Sequence, residues 1–140
     1  MPVSQNDFLA KAAIQDALGV KIAQPFVGLV VVRDEQFCGA FIFNNYDCQN
    51  VDATAVIIEP FSLGDARNIA RYVFETLGCK RVTCSTLSTN AKAINRLLAL
   101  GFEREGVQKE RFPAGDAVIF GLLRSKQKIL RLTHEYSPSA

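Results

Sequence analysis

The sequence is short of the residues that many enzyme chemistries and most metal sites require. Its only histidine, His134, lies in a polar C-terminal segment, so a Ser-His-Asp or Cys-His mechanism would have to rest on that one side chain. The four cysteines, Cys38, Cys48, Cys79 and Cys84, form no C-x-x-C pair, and no ligand set for a metal is grouped around them. Three of the four lie in or beside apolar runs, which suits buried, reduced thiols. No apolar run approaches the ~20 residues of a membrane span. The start, MPVSQNDFLAKAAIQDALG, has no basic stretch leading into an apolar one, so no signal peptide is expected. No G-x-G-x-x-G follows a strand pattern and no G-x-x-x-x-G-K-S/T occurs, which removes the nucleotide-binding classes that such motifs mark. The net charge of +2 is too small to argue for a nucleic-acid or membrane partner. A cytoplasmic location, or packaging into a particle from an intracellular pool, is the simplest expectation.

What is there describes an ordinary globular chain. Hydrophobic residues make up 49% of the 140 and charged residues 21%, enough for a core in one domain. That domain is expected over residues 1–125, followed by a basic and then polar tail over residues 126–140 that begins with a helical turn or two. Phe8, Ala12, Ile14 and Leu18 suggest an amphipathic helix over Asp7 to Leu18, stopped by Gly19. FVGLVVVR (Phe26 to Arg33) and FCGAFIF (Phe37 to Phe43) read as a hairpin around Asp34-Glu35-Gln36. Asn44 to Asn50 is a polar loop, and ATAVII (Ala53 to Ile58) a buried strand stopped by Pro60. Ser62 to Leu77 turns to helical periodicity, with Ser62 and Asp65 at capping-box spacing and Gly78 at the end. Arg81 to Leu87 is the next strand, and Thr83 and Ser85 alternate on one polar face of it. A hairpin of Phe102 to Phe112 and Ala117 to Leu123 closes the pattern. The strand-helix-strand unit requires a right-handed crossover and a parallel pair between antiparallel hairpins, hence an α/β (α+β) fold on a mixed sheet.

Asn90 to Phe102, NAKAINRLLALGF, carries the sharpest signal. A capping asparagine ends a strand, an amphipathic helix follows, and Gly-Phe turns the chain into another strand. The segment resembles the second conserved motif of the GCN5-related N-acetyltransferases, N-x-x-A-I-x-x-x-x-x-x-G-F. ETLGCKRV (Glu75 to Val82), EREGV (Glu103 to Val107) and GDAVIFGLLRS (Gly115 to Ser125) match in the same order. Together they are similar to the C-terminal half of ribosomal-protein alanine acetyltransferases, and the element order agrees from Gly28 to Arg124.

The resemblance implies the acyl-CoA N-acyltransferase fold, a central mixed sheet flanked by helices, and acetyl-CoA as cosubstrate. It implies direct attack of a primary amine, of a protein or a small molecule, on the thioester. The family's phosphate loop, Q/R-x-x-G-x-G/A, falls on Pro60 to Ala66, with Gly64 and Ala66 at the small positions, Phe61 replacing Q/R and Asp65 adding a carboxylate. Ser62, Gly64, Ala66, Arg67, Ser85 and Asn90 are the implied cofactor-binding residues, and Arg71 and Arg96 are further partners for the phosphates. Each has a plainer role open to it: Ser62, Asp65 and Asn90 as helix caps, the arginines as a solvated face. The tyrosine that protonates the departing thiolate in many members is Leu97 here. Glu59 is the candidate general base, or else a strand-end carboxylate. Tyr46, in the polar Asn44 to Asp47 loop that borders the expected substrate cleft, is the alternative proton donor, or else a packing residue. The chain is expected to start directly with its first helix, without the strand that usually precedes it in the family. A catalytically inactive relative, used as a structural or interaction module with protein partners or self-assembly, is the other reading, since short chains with degraded phosphate loops are similar to ones encoded by tailed bacteriophages, where they serve as virion or accessory proteins.

Overall fold

The computed structural model describes residues 2–59 and 61–130. Seven strands, β1 (Val3–Gln5), β2 (Val27–Arg33), β3 (Gln36–Asn44), β4 (Asn50–Ile57), β5 (Arg81–Leu87), β6 (Glu103–Phe112) and β7 (Gly115–Leu123), form one sheet. Their spatial order is β1-β2-β3-β4-β5-β7-β6, and among the described strands only β4 and β5 run parallel. The helices α1 (Asp7–Leu18), α2 (Leu63–Arg71) and α3 (Ala91–Ala99) cover its faces, and α2 continues into a π-helical turn over Tyr72–Thr76. The mixed sheet follows the sequence pattern closely.

Two expectations are corrected. The chain does not begin with its first helix: Val3–Gln5 pairs antiparallel with β2, Val3 opposite Val31 and Gln5 opposite Leu29. Three residues are too few for alternation to reveal a strand, and pairing with an existing edge supplies the missing stabilisation. The buried face of α1 is Ala10, Ile14 and Leu18, while Phe8 stands 85% exposed and Ala12 faces outward. A capping asparagine sets that rotation. Asn6 accepts from the Leu9 N–H at 3.0 Å, and Asp7 receives the Gly28 N–H at 2.8 Å. The helix consequently lies so close to β2 that a Cβ on Gly28 would come within 2.6 Å of the Ala10 Cβ.

Opposite α1, α2 and α3 bury Ala66, Ala70, Val73, Phe74, Ala93 and Leu97 over Phe41, Ala55, Cys84 and Phe120. Leu97, where an acid was sought, is core. The π turn, closed by Leu77 N–H donating to the Tyr72 carbonyl at 2.9 Å, inserts one residue per turn and so lets the consecutive Val73 and Phe74 both point inward. The segment after β7 stays attached as far as Leu130: Ile129 is buried in this core and Gln127 caps the Leu130 N–H. The remainder of the tail, with His134, lies outside the described residues.

Candidate functional site

The parallel pair of strands opens toward its C-terminal end. β4 and β5 are in register from Asn50 opposite Arg81 to Thr54 opposite Ser85, and there the pairing stops. Val56 and Ile57 pair only with Ala40 and Gly39 of β3, while Thr86 and Leu87 pair only with β7. Strands that part in mid-sheet leave backbone groups in need of partners. The first of them, the Ala55 carbonyl, is met by the fully buried Thr86 hydroxyl, which donates to it at 2.9 Å.

The turn that follows β4 is bracketed by cations. Lys92 of α3 donates to the Ile58 carbonyl and Arg96 to the Phe61 carbonyl, both at 2.8 Å. The Arg96 guanidinium also lies 5.4 Å from the centroid of the buried Phe61 ring. The Nε atoms of Arg67 and Arg96 are buried without a hydrogen-bond partner. Among the described residues no carboxylate pairs with Lys92, Arg96 or Arg67, whereas Arg71 pairs with Glu75 at 4.0 Å. This is a local excess of positive charge held at one turn.

The start of α2 faces the same turn. Ser62 accepts from the Asp65 N–H at 3.1 Å, and Asp65 receives the Ser62 N–H at 3.0 Å, which completes the capping box. The Ala66 N–H goes to the Ser62 carbonyl at 3.1 Å. The N–H groups of Leu63 and Gly64 carry no partner among the described residues, and a Cβ on Gly64 would meet nothing nearer than the Ser62 Oγ at 3.5 Å. Asp65 is 2% exposed and ion-paired with Arg33, which also reaches Ser62 at 3.4 Å, so its charge is neutralised from behind. An anion could therefore meet two free donors and the positive end of the helix dipole.

The sequence-selected residues fall into two groups. Glu59, Ser62 and Gly64 lie on the segment that joins β4 to α2 or at the start of that helix, Asn90 lies at the start of α3, and Arg67 follows the buried Ala66 within α2. Asn90 caps α3 by accepting from the Ala93 N–H at 3.1 Å. Ser85 flanks the opening on the α1 face as the last β5 residue paired with β4. Tyr46 stands apart, beyond the other end of β4 from Glu59, and its hydroxyl donates to the Leu77 carbonyl at 3.0 Å. The Cys48 thiol beside it pushes its phenol above the ordinary value. Sequence reasoning missed Arg33, Lys92 and Thr86. The last had a usable signal, because Thr86 continues the buried alternation of Val82 and Cys84.

A cleft of about 640 Å³ borders the sheet, walled by the chain between α1 and β2, by the Asn44-Asn45-Tyr46 segment and by the end of β6. Thr54, the last β4 residue paired with β5, is on its wall, so the cleft reaches the point where the strands part. The Asn44-Asn45-Tyr46 segment thus lines part of a cleft. On the other face a void of about 50 Å³ beneath α2 is lined only by apolar side chains and Cys84.

No protein-family model and no curated protein matches the sequence. Solved structures do. A point mutant of the spermidine N-acetyltransferase SpeG from Vibrio cholerae superposes with a TM-score of 0.67 over 95% of this chain and 99% of that one, at 14% identity. The ribosomal-protein-S5-alanine acetyltransferase from Vibrio fischeri gives 0.62 over 88% and 87%, also at 14% identity. A probable acetyltransferase gives 0.56 at 23% identity over 72% of this chain, which spans 61% of that protein's length. The chain has the fold of these acetyltransferases, the one the NAKAINRLLALGF motif implies.

Proposed function

We propose that the chain binds acetyl-CoA in the opening between β4 and β5 and transfers the acetyl group to a primary amine. The observation that carries this reading is the conjunction, at one turn, of a parted parallel pair, two free helix N–H groups, and Lys92, Arg96 and Arg67 without carboxylate partners. Basic groups and helix N-termini are what a pyrophosphate needs. At Val56 and Ile57 the edge of β4 that faces β5 is left without a strand partner, which offers an extended amide chain the edge it needs. Lys92 and Arg96, now on neutral carbonyls, would exchange these for phosphate oxygens, and Gly64 leaves room over the helix end.

The cosubstrate would supply an acyl group activated as a thioester. The residues' part is to hold both reactants at short range, a contribution that proximity makes large. As the amine nitrogen bonds to the acyl carbon the C–S bond breaks. Glu59, just past the end of β4, takes the amine proton through water, and coenzyme A leaves as its thiolate, protonated from solvent because Leu97 stands at the acid position. Ser85 and Asn90 flank the acyl position, and Tyr46 shapes the far wall of the cleft. The test is a thermal titration, because a ligand of the folded state alone raises stability by about 2.7 kcal/mol at a hundredfold excess over Kd. Acetyl-CoA is expected to raise Tm in the parent protein and not in the Lys92→Ala/Arg96→Ala variant. An unchanged parent Tm at millimolar acetyl-CoA would sink the reading.

The inactive reading is favoured by the capping box, which takes the Ser62 and Asp65 N–H groups that a phosphate loop would leave free. In that case the fold would serve as a module for protein partners, a virion or accessory component among them, and the same titration separates the two.

A further inference from the structure

The cleft that meets the opening carries cations and no anions. Among the described residues that line it, Lys21 and Arg111 are charged and no carboxylate is present. Its walls are otherwise aromatic and amide-bearing, with Phe26, Tyr46, Tyr72 and Phe112 the large side chains. Three carboxylates near the rim bond only neutral N–H groups and keep their charge. Asp7 receives the Gly28 N–H at 2.8 Å, Asp47 the Asn50 N–H at 2.7 Å, and Asp52 the amides of Asn45 and Asn50 at 3.0 and 2.9 Å. Their oxygens are turned to the groups that build the rim, and among the described residues none is paired with a cation.

A polyamine is a chain of positive charges, and a site that binds one needs carboxylates to desolvate it. The wall of this cleft offers no carboxylate among the described residues, and its two charged side chains are cations. We infer that the acceptor is an amine that also carries a carboxylate, on an apolar or aromatic body of amino-acid or dipeptide size, with the carboxylate directed to Arg111 and Lys21 and the amine toward Thr54. This rests on the acetyl-transfer reading and names its substrate class. Guanidinium is the better of the two cations for such an anion, since its fork matches a carboxylate bidentately. The volume suits a ligand of this size.

The experiment compares three amines with acetyl-CoA and the full chain: the dipeptide alanyl-phenylalanine, its C-terminal amide, and spermidine. The free dipeptide is expected to be acetylated with a kcat/KM at least tenfold above that of its amide, and spermidine not at all. Arg111→Glu should erase the preference for the free carboxylate, while Arg124→Glu, an equal charge change outside the cleft, should keep it. Preference for spermidine or for the amide would overturn the inference while acetyl transfer stands. If acetyl-CoA raises no Tm, the functional reading itself fails, and calorimetric titration of the dipeptide into the protein alone then decides the cleft. Heat lost in Arg111→Glu would uphold the anion preference, and no heat in the parent would overturn it.

Discussion

At the scale of single residues, Asp65 does two things with one carboxylate. It closes the capping box of α2 by receiving the Ser62 N–H, and it pairs with Arg33 while almost wholly buried. Removing one partner of such a pair strands the other, so Asp65→Ala should cost about 2–4 kcal/mol in urea unfolding. Arg33→Ala should cost a comparable amount although the cap survives, because it leaves the buried Asp65 carboxylate without its counter-charge, whereas the 40% exposed guanidinium can be solvated when Asp65 is lost. Cys84 makes a different prediction. Complete burial pushes its thiol up to about 12 from an ordinary 9. The thiol stays protonated in the folded chain while the unfolded chain ionises above pH 9. Its contribution is therefore fully present below pH 9 and lost as pH rises toward 12. Thermal melts from pH 8 to 11 should show a steeper loss in the parent than in Cys84→Ala, whatever the variant's stability at neutral pH; equal slopes would refute the assignment.

At the scale of elements, the opening between β4 and β5 depends on a single hydroxyl and two cationic clamps. Thr86→Val keeps the shape and leaves the Ala55 carbonyl without its partner, a loss expected to cost about 1–3 kcal/mol. If Tm is unchanged, water or a backbone shift has met the carbonyl instead. α1 depends on close approach. Gly28→Val would drive a side chain into Ala10 and Asp7 and should separate the helix from β2, read as a loss of at least 2 kcal/mol. The elements were largely legible from sequence because period and punctuation agree. Asp7 to Leu18 and Arg81 to Leu87 are found at the very residues that the pattern gives. The misses have local causes. β1 is too short to alternate, and Phe8 lost to Ala10 because the asparagine cap and the Asp7 bond to β2 decide which way α1 turns. At the candidate site, spacing made the caps Ser62 and Asn90 legible, but Arg33 and Lys92 act across distant segments and no spacing announces them.

At the scale of the whole molecule, the sheet ends in two unlike edges. β1 is short, whereas residues 103–111 of β6 are all exposed, with register shifts at Arg104/Gly106 and Gln108/Phe112. Alternating charge and irregular pairing keep such an edge from recruiting other strands. Arg104→Thr together with Lys109→Thr should therefore promote self-association on size-exclusion chromatography with light scattering at neutral pH.

The parting of β4 from β5 has a mechanical side. β1 to β4 form one antiparallel block, and β5, β7 and β6 a second. Five register pairs and the hydroxyls of Thr83 and Thr86 join them within the sheet. A seam so short is where sub-global opening should begin. Whatever extended molecule lies in the gap would bridge both blocks and act as a splint. Amide exchange should then slow on both sides of the seam together when it binds, in strands the ligand never touches.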